Sequence, residues 1–306
     1  MQTVLLTHPD CVRHEMGAGH PESPQRLKAI LAAIEAAGLA GGLDKREAPE
    51  ATREQIERVH EHEQVDFIFD SAPASGYAFL DPDTSMNPSS LSAALRAAGA
   101  LVKAADLVLA GEAKRAFCAV RPPGHHATRH RPMGFCIFNN VAIGAAHAIA
   151  AHGLERVAIL DFDVHHGNGT EDAFHDDPRV MLCSTFQHPY YPYSGADSGN
   201  EHIINVPLPA MTDGSGFRAA VEEHWIPALD RFRPQLVMVS AGFDAHRDDP
   251  LAYLKLDDED YRWVTERLVD VANRHADGRV VSTLEGGYNT EALGRCAVEH
   301  LRVLMA

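Results

Sequence analysis

Two kinds of segment alternate along the 306-residue chain. Short β-branched apolar runs predict strands, and alanine- and leucine-rich stretches with polar positions at helical spacing predict helices. A first strand is predicted over 1–7 and a helix over 23–37, with Pro24 in the first turn, where a helix tolerates proline. Residues 71–90 are rich in Pro, Ser, Asp and Gly and predict a long surface loop. A helix over 91–110, a strand over 116–121 and a helix over 139–152 follow. The segment RVAILDFDV at 156–164 is a short apolar run that enters acidic residues, the pattern of a buried parallel strand reaching an active edge. Further strands are predicted over 179–184, 235–242 and 279–284, and helices over 216–231 and 258–275. Helices that follow strands imply a parallel sheet covered on both faces. Ligands of such sheets bind beyond the carboxyl ends of the strands. The chemically rich residues fall there: after 120, at 161–170, at 241–249 and at 285–289. No repeat or linker interrupts the pattern, so one domain over 1–306 is expected.

Composition narrows the function. The chain carries 43 acidic against 27 basic side chains, a formal net charge of −16. That opposes nucleic-acid binding by phosphate neutralisation and docking on an anionic membrane, and it mildly favours a cationic substrate. Cys11, Cys118, Cys136, Cys183 and Cys296 are odd in number, widely spaced and without a CxxC pair, so buried thiols in a reducing compartment are expected. The N-terminus lacks a basic segment followed by a full apolar one, and no apolar run reaches membrane-span length. A cytoplasmic location is the expectation.

The densest chemistry is Asp161-Phe162-Asp163-Val164-His165-His166-Gly167-Asn168. In an extended segment residues 161, 163 and 165 share a face, so Asp163 and His165 can offer an oxygen and a nitrogen to a metal while Asp161 orients a neighbour. Asp244, just after another predicted strand, can complete an Asp-His-Asp set that leaves a position open for water. Either cluster alone also fits solvated turn residues. Adjacent His125 and His126 lie in RPPGHH, a turn that can bring both rings to a pocket, where imidazole suits acid–base work. A polar surface turn or a pair of metal ligands fits the same residues. In Glu285-Gly286-Gly287-Tyr288-Asn289 the glycines permit close backbone approach, and the Tyr288 phenol can donate to an oxygen that gains charge. A packed tyrosine beside a diglycine turn is the plainer alternative. Neither a GxGxxG fingerprint nor a P-loop occurs.

Together, RPPGHHA at 121–127, GFCIFNN at 134–140, DFDVHHGNGT at 161–170, SAGFDAHRDDP at 240–250 and LEGGYN at 284–289 resemble the metal-dependent histone deacetylase superfamily, which includes acetylpolyamine amidohydrolases. HPESPQRL at 20–27 adds an N-terminal element, and the motifs look most like those of class II enzymes and their bacterial relatives. The resemblance implies an α/β, arginase/deacetylase-like three-layer fold with a central eight-stranded parallel sheet. It implies one catalytic Zn2+ held by Asp163, His165 and Asp244, with His126 as proton shuttle, His125 chiefly electrostatic and Asp161 as its partner. Asn168 stands where class I enzymes usually carry aspartate and class II enzymes asparagine; a neutral partner is expected to make His126 a weaker base than an aspartate would. Tyr288 is implied to polarise the acyl carbonyl, Gly134 to lie near the substrate amide, and Phe135 and Tyr191 to form opposite tunnel walls. A structural K+ is implied at Asp161, Asp163, His165, Ser184 and Thr185.

The implied reaction is hydrolysis of an acetyl-lysine or a similar linear acetylated amine. Polyamine-selective relatives carry a gatekeeper glutamate after the Asp-Pro of SAGFDAHRDDP, where this chain has Leu251. Acetylpolyamine hydrolysis is therefore the alternative; Asp81 and Asp83 in the predicted loop are its candidate acidic rim. Two readings from other classes are a binuclear manganese, arginase-like hydrolase, which the lack of a DAHxD pattern in the DFDVHH segment opposes, and a silent binding module, which retention of the three expected metal ligands, both histidines and Tyr288 opposes. The oligomeric state is not readable from the sequence.

Overall fold

The β-branched runs become one sheet. The computed structural model describes residues 2–306. Its strands are β1 (Thr3–Thr7), β2 (Leu43–Glu47), β3 (Ala78–Asp81), β4 (Thr84–Met86), β5 (Arg115–Cys118), β6 (Val157–Asp161), β7 (Val180–Gln187), β8 (Ile203–Leu208), β9 (Leu236–Ala241) and β10 (Val280–Leu284). Eight of them form a sheet in the order β2-β1-β5-β10-β9-β6-β7-β8, with each neighbouring pair parallel. Every residue of β6, β7, β9 and β10 is buried. This is why each of these strands opens on an apolar run rather than an alternation.

Helices flank the sheet in two groups. Ser90–Leu109 packs on Asn140–His152, while Pro24–Ala36, Asp258–His275 and Thr290–Met305 pack on one another. Their ends follow local chemistry. The Asn139 side chain accepts the Ala142 N–H to open Asn140–His152, and Gly153 closes it at φ 67°. Asp257 and Asp260 form a capping box at the start of Asp258–His275. No helix among the described residues is long and apolar enough to cross a membrane.

Several elements depart from the expected pattern. The first strand begins at Thr3, and Met1 lies outside the described residues. Within 71–90, β3 and β4 form an antiparallel hairpin rather than loop alone. Thr84, Ser85 and Met86 are buried there, and Ser85 Oγ donates to Met16 O, so polar strand residues gain partners that composition does not show. Edge strand β2, Leu-Asp-Lys-Arg-Glu, is too polar to read as a strand. The expected helix at 216–231 is a composite of Gly214–Ala220, a π turn over Val221–Trp225, and Ile226–Phe232. All five cysteines are free and buried.

Candidate active site

Sheet register brings the motifs together. Asp161, the last residue of β6, lies opposite Ser240 of β9 and Ser184 of β7, and Leu284 of β10 lies opposite Ala241. The loops that follow Asp161, Ala241 and Leu284 therefore leave the sheet side by side. β6 stops at Asp161, so Asp163 and His165 do not converge by strand alternation as the sequence suggested. They meet on a bend instead, because Asp163 Oδ1 accepts the His165 backbone N–H at 2.9 Å.

On that bend His165 Nδ1 sits 3.0 Å from Asp163 Oδ1 and 3.2 Å from Asp244 Oδ2. Donor atoms of the three residues lie within 4.8 Å of one another. Backbone N–H groups aim the carboxylates: Gly286 donates to Asp163 Oδ2 at 2.8 Å and Val164 to Asp244 Oδ1 at 2.9 Å. A Cβ at Gly286 would lie 2.0 Å from Asp244 Oδ2, so only glycine allows the turn to approach this closely. Asp244 Oδ2 is buried and has no hydrogen-bond partner. Burial works against a charged His165, but the Asp163 and Asp244 carboxylates beside its Nδ1 outweigh that and push it up to about 10. The pocket is thus built for positive charge, and its hard oxygen and imidazole donors fit a divalent metal.

The tandem histidines lie beside this set, their ring centroids 4.0 Å apart. His125 Nδ1 donates to Asp161 Oδ2 at 2.9 Å, and Glu285 accepts the backbone N–H groups of Gly124 and His125. Burial pulls His125 down, but the charges of Asp161 and Asp163 raise it well above the ordinary histidine value. His126 moves the other way, held well below that value by burial and by the neighbouring His125 and His165. Asn168 Oδ1 lies 2.7 Å from His126 Nδ1 and can only accept, so the proton sits on Nδ1 and Nε2 keeps its lone pair. This bond raises His126 slightly. The depressed basicity comes from burial and the histidine neighbours.

Above these groups is a cavity of about 280 Å³ lined by His126, Gly134, Phe135, His165, Tyr191, Leu251 and Tyr288, together with Asp83, Tyr190 and Tyr193. Gly134 has φ 58°, and a Cβ there would lie 2.5 Å from the His126 ring, which leaves glycine the fitting residue. Burial raises the Tyr288 phenol well above its usual value, against the opposing charge of Arg26, so it remains a hydrogen-bond donor. Ser184 and Thr185, buried on β7, line no part of this cavity; Ser184 Oγ lacks a partner.

Arg26, Glu22 and Tyr190 escaped the sequence reading of individual roles, and Asp83 makes a contact that reading did not include. Arg26 donates to Gly287 O at 2.6 Å and also to Glu285 O, and its guanidinium carbon lies 4.8 Å from the Tyr288 ring centroid. Glu22 holds Arg26 and Arg121 together. Asp83, one of the two proposed rim acids, accepts the Gly134 N–H at 3.1 Å. Tyr190 donates to Leu251 O at 2.6 Å. The charges in HPESPQRL and before PPGHH were visible, but nothing in their spacing shows that they face one another.

Comparison with known proteins matches this arrangement. The histone deacetylase domain profile aligns with residues 20–304. The chain belongs to the histone deacetylase domain family. It is 40% identical to a histone deacetylase-like amidohydrolase of Pseudomonas aeruginosa, over 94% of this chain and 77% of that protein. It is 36% identical to a probable deacetylase of Archaeoglobus fulgidus, over 95% and 82%. An uncharacterised Synechocystis protein is 41% identical over 98% of this chain and 99% of its own. The crystal structure of the HDA15 HD domain superposes with a TM-score of 0.92 at 34% identity, covering 99% of this chain and 88% of that one. The α/β fold is thus the arginase/deacetylase fold, and the chain is a metal-dependent amide hydrolase of the deacetylase type.

Proposed function

We propose that this member of the histone deacetylase family removes the acetyl group of N-acetyl-lysine, or of a similar linear acetylated amine, using one zinc ion held by Asp163, His165 and Asp244. The observation that carries the reading is the junction of a buried Asp-His-Asp donor set with a cavity lined by the aromatic rings of Phe135, Tyr190, Tyr191 and Tyr288. A zinc ion there supplies Lewis acidity to the acyl carbonyl and lowers the pKa of water. The chain's own groups do the rest. Phe135, Tyr190 and Tyr191 hold the methylenes and exclude water. Tyr288 donates its phenol proton as a hydrogen bond to the acyl oxygen while that oxygen gains charge. His126, with its proton fixed on Nδ1 by Asn168, takes the proton of the attacking water at Nε2. The neighbouring His125 charge makes that proton easy to release to the leaving amine. Acetate and a free amine result, with no covalent enzyme intermediate.

Ser184 Oγ, buried without a partner and level with Asp161, supports a structural potassium ion formed with Asp161, Asp163, His165 and Thr185. The five buried free thiols support a reducing, cytoplasmic setting. The printed names of the Pseudomonas and Archaeoglobus relatives support amide hydrolysis.

Leu251 in the cavity wall offers no charge to a second cationic centre, which favours acetyl-lysine. Asp83 in the same wall favours the second reading, an acetylated polyamine. The zinc-loaded protein decides between them through kcat/KM for several acetyl-lysine peptides and for acetylated putrescine and spermidine. Peptides are expected to be cleaved without demand for a particular flanking sequence. An advantage of about tenfold or more for the polyamines, or about 1.4 kcal/mol, reverses the order while keeping the chemistry.

A further inference from the structure

Asp249 precedes the final proline of the SAGFDAHRDDP motif but belongs to none of the groups assigned above. It is 7% exposed. Its two oxygens accept three backbone N–H groups from two separate loops. Oδ2 takes Tyr288 at 2.7 Å and Asn289 at 3.2 Å, and Oδ1 takes Leu251 at 2.9 Å. The backbone N–H of Asp249 donates to His246 O at 2.9 Å, which holds it to the loop that carries Asp244. Leu251 O in turn accepts the Tyr190 hydroxyl. One carboxylate therefore joins the backbone that carries the Tyr288 phenol to the Leu251–Tyr190 lip of the cavity.

The turn that carries Tyr288 needs such an anchor. Gly287 holds φ 121°, a conformation that glycine itself does not enforce. On the far side, the Asn289 side chain caps helix Thr290–Met305 through Glu291 and Ala292 and donates to Asp248 O. Tyr288 is thus pinned at its own N–H and at the next residue, both by the 248–249 segment. A carboxylate suits this place because it can accept from all three donors at once, whereas an amide has one acceptor oxygen.

We infer that Asp249 is a positioning residue: through the backbone of residues 288 and 289 it holds the Tyr288 hydroxyl at the acyl oxygen, and through Leu251 it couples that placement to the cavity lip. This rests on the role proposed for Tyr288. Misplacement of a reacting group by about 1 Å can cost about 10²-fold, so the loss should appear in kcat.

The test is a double-mutant cycle on the zinc-loaded protein, with kcat, KM, metal content and thermal midpoint measured for each variant. Tyr288→Phe alone should lower kcat about 10²–10³-fold; a near-normal kcat would remove the underlying role of Tyr288. Given that loss, Asp249→Ala should keep its metal and lower kcat at least about tenfold, with KM moving less than about threefold. In the Tyr288→Phe background it should cost less than about twofold more, because the hydroxyl it places is gone. Asp249→Asn, which can still accept from Tyr288 and Asn289, should recover most of kcat. Equal losses in both backgrounds, or a loss confined to KM or to stability, would overturn the inference and leave the role of Tyr288 standing. If Asp249→Ala does not fold, Asp249→Ser, too short to serve all three donors, takes its place in the same cycle.

Discussion

Three regions among the described residues gather metal-ligating side chains tightly enough to invite a metal, and two of them compare most directly, yet only one is built for it. At the sheet edge are Asp163, His165 and Asp244; in the seam between helices Ser90–Leu109 and Asn140–His152 are Asp106, His147 and His152. Donor types and spacing hardly separate them. The second partner of each imidazole does. In the seam, the Arg58 guanidinium lies 2.9 Å from His147 Nδ1 and can only donate, so the proton sits on Nε2, the nitrogen that faces Asp106 at 2.8 Å. His152 Nε2 also points its proton at that oxygen, at 2.8 Å. The nitrogens a cation would need are occupied by protons, and Asp106 is open to solvent. A third group, His246, Asp258 and Cys296, has the same flaw: the Asp248 N–H fills His246 Nδ1, and Arg295 already neutralises Asp258. At the sheet edge one imidazole nitrogen faces two buried carboxylates, one with an unpartnered oxygen. Ligand count proposes a metal site, and the hydrogen bonds around the ligands decide it.

The largest test of this contrast is removal of one acid from each cluster. Asp244→Ala should lose stoichiometric zinc, read by elemental analysis, and lower turnover beyond the about 10²–10³-fold typical of a lost oxyanion donor. Asp106→Ala should keep its zinc and its kcat within about twofold. Metal retained in the first variant or lost in the second would break the comparison.

A smaller effect separates the two histidines that face the metal set. His126→Ala should lower kcat about 10²–10⁴-fold with zinc retained, and His125→Ala by less, because only His126 presents a free Nε2 to the cavity. Full pH–rate profiles are required, since removing one ring changes the protonation of the other. The reverse ranking across those profiles would exchange their roles.

The smallest effect concerns a histidine–acid pair that serves structure. His166 Nε2 lies 2.8 Å from Glu171 Oε2, which Asn205 also holds at 2.8 Å. Burial alone would raise Glu171, but the bonds from His166, Asn205 and Ser198 outweigh it and bring the carboxyl from 4.5 down to about 2. A carboxyl depressed in the folded state adds stability that is fully present above its unfolded value. The contribution should therefore fade between about pH 4.5 and pH 2. Denaturant midpoints of the native protein and Glu171→Gln should converge across that window, with turnover at neutral pH little changed. A gap that stays constant with pH would remove this linkage.

Much of the scaffold was legible in the pattern of residues. β6, β9 and β10 announce themselves because strands buried on both faces open on apolar runs without alternation, and their polar residues begin where that run stops. β2 was hidden because an edge strand keeps polar residues at its exposed face, and β4 because its buried Thr84 and Ser85 are satisfied by partners the composition does not show. The composite helix at 214–232 lost its boundaries for a related reason: a π turn preserves the apolar face while changing the hydrogen-bond register.

For the site, local spacing singled out the candidate residues: the Asp163–His165 pair, the adjacent histidines and the tyrosine after two glycines all stand within motifs of a few residues. Tertiary structure decided the rest. Which imidazole nitrogen keeps its lone pair depends on Asn168, 42 residues from His126. Whether an Asp–His cluster holds a cation or a proton depends on whether a guanidinium or a second carboxylate lies beyond the ring. Arg26 reaches the Tyr288 turn from 261 residues away, and Asp249 reaches it across 39. The physical reason is that composition and periodicity report what each segment buries, whereas pKa and proton position are set by the partner at hydrogen-bond distance, which only the folded chain brings near.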